Sequence, residues 1–226
     1  FSAGIGRSEN TVLWATGELW LRVPETMRVT LTGELQRGVM SKDFTIHLIG
    51  QLTSDGATYM AVEFDGDGTR NMSAESRMVL TNMMAEMGAK NAVIAPDDVT
   101  WSWLDAELQR TRPQDYKARI ATFRERALYA DDDATYAIHH TIDLSKIEPM
   151  VSCPHTVDNT QPVSNLDHVA VDVGFIGTCT NGQLEDIAIA AETLKGHKIK
   201  SRLIVIPASS MVLRDATEAG YITTLL

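Results

Sequence analysis

Cys179 has the most chemistry open to it. It stands in Gly177-Thr178-Cys179-Thr180-Asn181-Gly182. The apolar run Val169 to Ile176 before this segment reads as a buried strand, and Leu184 to Lys195 after it reads as a helix ending at Gly196. In open α/β sheets, ligands bind at the carboxyl ends of strands. A thiol at that place also meets the positive end of the helix dipole, which favours thiolate, the form that ligates metals or attacks electrophiles. The flanking glycines let backbone come close to a ligand, and Thr180 or Asn181 is expected to cap the helix. The same pattern also describes a buried cysteine in an ordinary tight turn.

Asn82 and Glu86 form a second constellation. On one helix, positions i and i+4 share a face, so both side chains can serve one site. Met83, Met84 and Met87 surround them, which puts the pair beside the core. A buried carboxylate costs several kcal/mol, on the order of the usual desolvation penalty, unless it is paired or bound. Glu86 is therefore either a functional acid or a surface residue. Cys153-x-His155 with Asp158 falls short of a metal ligand set. His139 and His140 alternate across a strand and face opposite sides. Gly4-x-Gly6 lacks the strand and third glycine of a dinucleotide loop. Asp65-Gly66-Asp67-Gly68 is too short for a calcium loop and reads as a turn.

These residues need a scaffold, and its elements alternate in type. A helix is expected over 8–19. Met27, Val29 and Leu31 alternate with polar residues as a half-buried strand. Ser41 is a candidate N-cap for a helix carrying Phe44, Leu48 and Leu52 in one stripe, stopped at Gly56. A strand over 59–64 follows, then a helix from a Ser73 cap to Met87, ended by Gly88. A buried strand over 92–95 leads to a helix over 100–109, interrupted by Pro113. The polar stretch 113–133 reads as surface helix and loop, and 136–144 as a strand. Pro149, Pro154 and Pro162 mark a connection between domains. Strand 203–206 and helix 211–219 close the chain. Strands alternating with helices predict an α/β layered fold with parallel pairing.

Composition narrows the classes. The chain has 226 residues, 44% hydrophobic and 22% charged, with net charge −10, an ordinary globular mixture of roughly one or two domains. The acidic balance and the lack of a basic run argue against nucleic acid, and no apolar stretch reaches the ~18 residues of a membrane span. Two cysteines make no disulfide framework and fit reduced thiols in a cytoplasmic protein. Phe1-Ser2-Ala3-Gly4-Ile5-Gly6 at one end and Tyr221-Ile222-Thr223-Thr224-Leu225-Leu226 at the other read as cuts from a longer chain.

The run Val173 through Asp186 resembles the first cluster-cysteine motif of the aconitase superfamily, most nearly the large subunits of 3-isopropylmalate dehydratase and its homoaconitase relatives. Ala15 through Thr26, Asn82 through Lys90, Glu148-Pro149-Met150-Val151 and Cys153-Pro154-His155 are similar to family segments in the same order. The resemblance implies three-layer α/β/α domains with mixed, largely parallel sheets. Residues 1–22 would end a first domain, 23–141 form a second, and 142–226 begin a third. It implies an iron–sulfur hydro-lyase or isomerase acting on a hydroxy di- or tricarboxylic acid, with isopropylmalate first, homoaconitate, citrate and methylated malates following. Cys179 would be the first ligand of a 4Fe–4S cluster with Asn181 beside it, and Asn82 and Glu86 active-site residues, Glu86 partnering a histidine. A small-subunit partner is implied, while the other two cluster cysteines and the family's histidine motifs lie outside these 226 residues. This chain alone is thus expected to be inactive and to hold no cluster. Gln183 stands where leucine-pathway members carry Arg. A non-catalytic scaffold relative and a cysteine-nucleophile enzyme are the readings from other classes.

Overall fold

A computed structural model describes residues 2, 3 and 5–226. Phe1 and Gly4, which belong to the opening segment and to Gly4-x-Gly6, lie outside the described residues. The elements run β1 (Ser2–Ala3), α1 (Arg7–Thr16), β2 (Thr26–Thr32), α2 (Ser41–Leu52), β3 (Ala61–Asp65), α3 (Asp67–Arg70), α4 (Ala74–Met83), β4 (Asn91–Ile94), α5 (Asp98–Thr111), α6 (Tyr116–Glu125), β5 (Ile138–Asp143), β6 (Met150–Ser152), β7 (Thr160–Pro162), β8 (Val173–Ile176), α7 (Leu184–Leu194), β9 (Arg202–Val205), α8 (Ser210–Glu218) and α9 (Tyr221–Leu225). The fold is mixed α/β with a largely parallel main sheet. No helix among the described residues is long and apolar enough to cross a membrane. The chain forms two compact units, Phe1–Asn165 and Leu166–Leu226.

The first unit is built on a sheet ordered β1-β4-β3-β2-β5, parallel from β4 to β5 and antiparallel only at β1. Alternation along β2 sends Met27, Val29 and Leu31 into the core, and β3 adds Val62 and Phe64 from the same face. Phe44, Leu48 and Ile49 of α2 and Val79 and Leu80 of α4 complete that core, with Phe44 and Phe64 edge to face at 6.3 Å. The other face is polar. There Arg28 pairs with Asp65, Thr30 donates to Asp65 at 2.6 Å, and Tyr136 donates to Glu63 at 3.1 Å. A parallel sheet buried on both faces reads as an unbroken apolar run; this one alternates because only one of its faces packs on apolar side chains.

Several boundaries differ from expectation. Met40, not Ser41, caps α2, since the Asp43 carboxylate reaches back to the Met40 N–H at 2.7 Å. That helix ends at Leu52, with Thr53 as its C-cap, rather than at Gly56. The stretch taken as a plain turn at Asp65–Gly68 starts the short helix α3. The proline passage folds as the antiparallel hairpin β6–β7, and this hairpin packs on α2. Gly50 makes that packing possible, because a Cβ there would sit 1.8 Å from Thr160 Oγ1. The hairpin lies in the first compact unit, which runs to Asn165.

The second unit pairs β8 and β9 in parallel and packs α7, α8 and α9 together, with Ile187, Ala191 and Ala216 buried. The expected buried strand over 169–176 is shorter and more open. It begins at Val173, and Val173 and Phe175 remain about half exposed, at 51% and 49%. The two-stranded sheet presents these side chains where no described element of the unit covers them.

Candidate functional site

The Cys179 turn is shaped by backbone conformations that few residues adopt. Gly177 and Gly182 take φ of +148° and +89°, and a Cβ on either would lie 2.7 Å from the Ile206 carbonyl oxygen. Thr178 is held in the left-handed region at φ +85°, a conformation that costs about 1–3 kcal/mol and persists only where its surroundings enforce it. They do so here from the end of β9. The Ile206 N–H donates to the Ile176 carbonyl and the Ala208 N–H to the Gly182 carbonyl, both at 2.8 Å.

The other support comes from α7. Neither Thr180 nor Asn181 caps this helix. Gln183 is the N-cap residue, and the carboxylate that serves the helix start belongs to Asp186. Asp186 accepts from the Gly182 N–H at 2.8 Å, the Gln183 N–H at 3.0 Å and the Asn181 side-chain amide at 3.1 Å. This residue escaped the sequence reading. Its signal was present as an acidic residue three positions past the cap, the spacing of a capping box. Cys179 is exposed at the tip of the turn, its Sγ 3.7 Å from Thr180 Oγ1. It is thus not the buried structural cysteine of the alternative reading. Asn181 Oδ1 is buried without a hydrogen-bond partner.

This chemistry fits one corner of a metal cluster. An exposed thiol is the soft donor that iron–sulfur centres take. Among the described residues no group of three His, Cys, Asp or Glu stands close enough to hold an ion, so the fit extends to a single thiolate ligand. The other cysteine is engaged elsewhere. Gln161 Nε2 lies 3.1 Å from Cys153 Sγ, and the Cys153 N–H donates to the Asn159 carbonyl at 2.7 Å. Asp158, the third member of the Cys153, His155 and Asp158 grouping, accepts the Ser54 N–H at 3.0 Å. Its carboxyl is held below the usual range by its hydrogen bonds, first from Thr156 and then from Ser54. His139 lies 2.9 Å from Thr30 Oγ1 on the polar sheet face.

Asn82 and Glu86 are not on one continuous helix face. The α-helix stops at Met83, and Met84–Met87 tighten into a 3₁₀ turn capped by Gly88 at φ +77°. Met84 and Met87 are driven into the core by that turn, and with three residues per turn the i, i+4 register no longer holds. Glu86 is exposed and Asn82 half-buried. The expected carboxylate on a buried apolar face is therefore an exposed carboxylate on a tight turn. Both residues lie in the first compact unit, and Cys179 and Asn181 in the second.

The whole chain has counterparts among known proteins. The profile of the aconitase family (aconitate hydratase) matches residues 1–167 and 159–226. A probable methanogen homoaconitase large subunit of Methanosarcina mazei is 42% identical over 226 residues, covering 100% of this chain and 54% of that protein. A 3-isopropylmalate dehydratase large subunit of Methanopyrus kandleri is 42% identical over 227 residues, 100% of this chain and 51% of its own length. One from Sulfurihydrogenibium is 40% identical over 228 residues, 100% of this chain and 50% of its own length. The chain spans about half the length of the curated relatives it matches.

Proposed function

The chain belongs to the aconitase family, and from that membership we propose that it is part of the large subunit of an iron–sulfur hydro-lyase. The reaction removes and re-adds water on a hydroxy di- or tricarboxylic acid, with 2-isopropylmalate to 3-isopropylmalate as the first assignment. The observation that carries this reading is an exposed Cys179 on a turn whose backbone is fixed from both sides. A ligand thiol must be reachable and must already occupy its bound position, or ordering it is charged against binding.

In this reading Cys179 holds one iron of a 4Fe–4S cluster through its thiolate, and the remaining cysteine ligands come from outside these residues. When bound, such a cluster with one open iron supplies a Lewis acid for a substrate hydroxyl and carboxylate. Asn181, turned by its bond to Asp186, leaves its amide oxygen as an acceptor beside the thiol's turn. Glu86, exposed on its 3₁₀ turn, supplies a carboxylate that orients a histidine from outside these residues. Asn82 supplies an amide one turn earlier for a polar group of the substrate. A small-subunit partner follows from relatives named as large subunits.

A second substrate reading, homoaconitate, rests on a homoaconitase relative of the same 42% identity. Both readings are tested together. Iron and sulfide are measured in the intact subunit purified without oxygen, beside Cys179→Ser. Cluster in the wild type and its loss in the variant support the hydro-lyase. Assays of the dehydration of 2-isopropylmalate and of the hydration of homoaconitate then choose the substrate. An iron-free wild type moves the chain to a scaffold role.

A further inference from the structure

Asp186 is a buried carboxylate, 9% exposed, whose hydrogen bonds go to N–H groups of the chain preceding it. A carboxylate that merely caps a helix accepts at the first turn. This one also reaches upstream, to the Gly182 N–H and the Asn181 side chain, residues that lie between the helix and Cys179. Gly182 is thereby gripped at both ends, its N–H by Asp186 and its carbonyl by the Ala208 N–H. Charge-assisted bonds of this kind are about twice as strong as neutral ones, and three on one buried carboxylate make the anchor of the segment. Three residues upstream of Gly182 stands the exposed thiol, and directly before it Thr178 sits at positive φ, a conformation it cannot hold unaided.

We infer that Asp186 is a positioning residue: its carboxylate locks Asn181, Gly182 and Gln183 and so fixes the turn that presents Cys179 to a cluster iron. The inference deepens the proposed function and rests on Cys179 being a ligand there.

Two measurements test it, on wild type, Asp186→Ala and the near-isosteric Asp186→Asn. The first is hydrogen exchange at the Gly182 and Gln183 amides in this chain, with Val29 and Val62 as controls for folding. Exchange at both turn amides is expected to quicken at least about tenfold in the alanine variant, as loss of a charge-assisted bond implies, and to a lesser degree with asparagine, while the controls stay unchanged. The second is loss of the visible and electron-paramagnetic cluster signals to a chelator in the intact subunit. It is expected to accelerate about 10- to 100-fold, the usual effect of removing a partner behind a metal ligand. Unchanged exchange at Gly182 and Gln183 overturns the inference. Faster exchange with unchanged cluster loss also overturns it, since Asp186 is then a helix cap and nothing more. A wild type without cluster overturns the proposed function instead, and the exchange arm alone then decides whether Asp186 holds the turn.

Discussion

A side chain is only as useful as the backbone beneath it is fixed, and the Cys179 turn shows this at single residues. The place of Cys179 was legible from sequence, because a cysteine between glycines after an apolar run marks a strand-to-helix junction. What braces it was less legible. Asp186 looks like any acidic residue in a first helical turn, and only the reach of its carboxylate to Gly182 and Asn181 sets it apart. The sequence leaves Glu86 open between an apolar face and the surface; helical periodicity carried past Met83 points to the first, and the 3₁₀ turn exposes it. The glycines of the turn give a sharp test. Gly182→Ala must place a Cβ against the Ile206 carbonyl at 2.7 Å and hold a left-handed φ. We expect a loss of about 1–3 kcal/mol, confined to the second unit. Hydrogen exchange that quickens across α7–α9 while the β2–β5 core is unchanged is the expected result; equal quickening in both units contradicts it.

Between elements, caps and ion pairs set the geometry that hydrophobic pattern alone leaves open. Ser73 was readable as the start of α4 and does accept the Ser76 N–H at 3.0 Å. The pattern also found α2, α5 and α7 and the strands β2 to β5 of the main sheet. It missed α3 and the β6–β7 hairpin, both too short to show a period and both held by tertiary partners. Arg77 is the strongest of these unread contacts. Almost wholly buried on α4, it binds Asp97, the cap of α5, at 2.8 Å through Nη2, and donates to the Thr69 carbonyl of α3 at 2.9 Å. Three helices are thereby tied to one guanidinium. Burial pushes the Asp97 carboxyl upward, but the Arg77 and Thr100 bonds outweigh it and hold the group below the ordinary range. A carboxyl depressed in the folded state stabilises fully above its unfolded pKa, about 4, and that contribution fades as pH falls through the folded value. Arg77→Met should cost about 1–3 kcal/mol at neutral pH, discounted because Asp97 is partly exposed. It should also flatten the loss of stability on the acid side. Urea midpoints between pH 3 and 7 for both proteins check this; parallel curves rule out the pair as the source.

At the scale of the whole molecule, the two units differ in how much core each can bury. The first closes a parallel sheet over Phe44, Phe64, Leu80 and their neighbours. The second buries chiefly Ile187, Ala191 and Ala216 beneath three helices. A unit of this size recovers a smaller share of its unfolded surface than a larger one does, and Val173 and Phe175 recover little of theirs. The proline cluster drew the eye as the separator, yet Pro162 pairs with Met150 in a hairpin that belongs to the first unit. Proline is tolerated there because a two-stranded ribbon leaves its outward side free of ladder bonds. The second unit opens on residues 167–172, exposed throughout and without strand or helix. Val169-Ala170-Val171 within them is as apolar as β8, which is why the sequence predicts a strand from Val169. Cleavage by a broad-specificity protease at low dose should therefore begin within 167–172 and leave a resistant fragment close to 1–165. That fragment should unfold as one cooperative step with the midpoint of the main transition of the intact chain. First cuts within 149–162 would instead restore the proline passage as the connection between units.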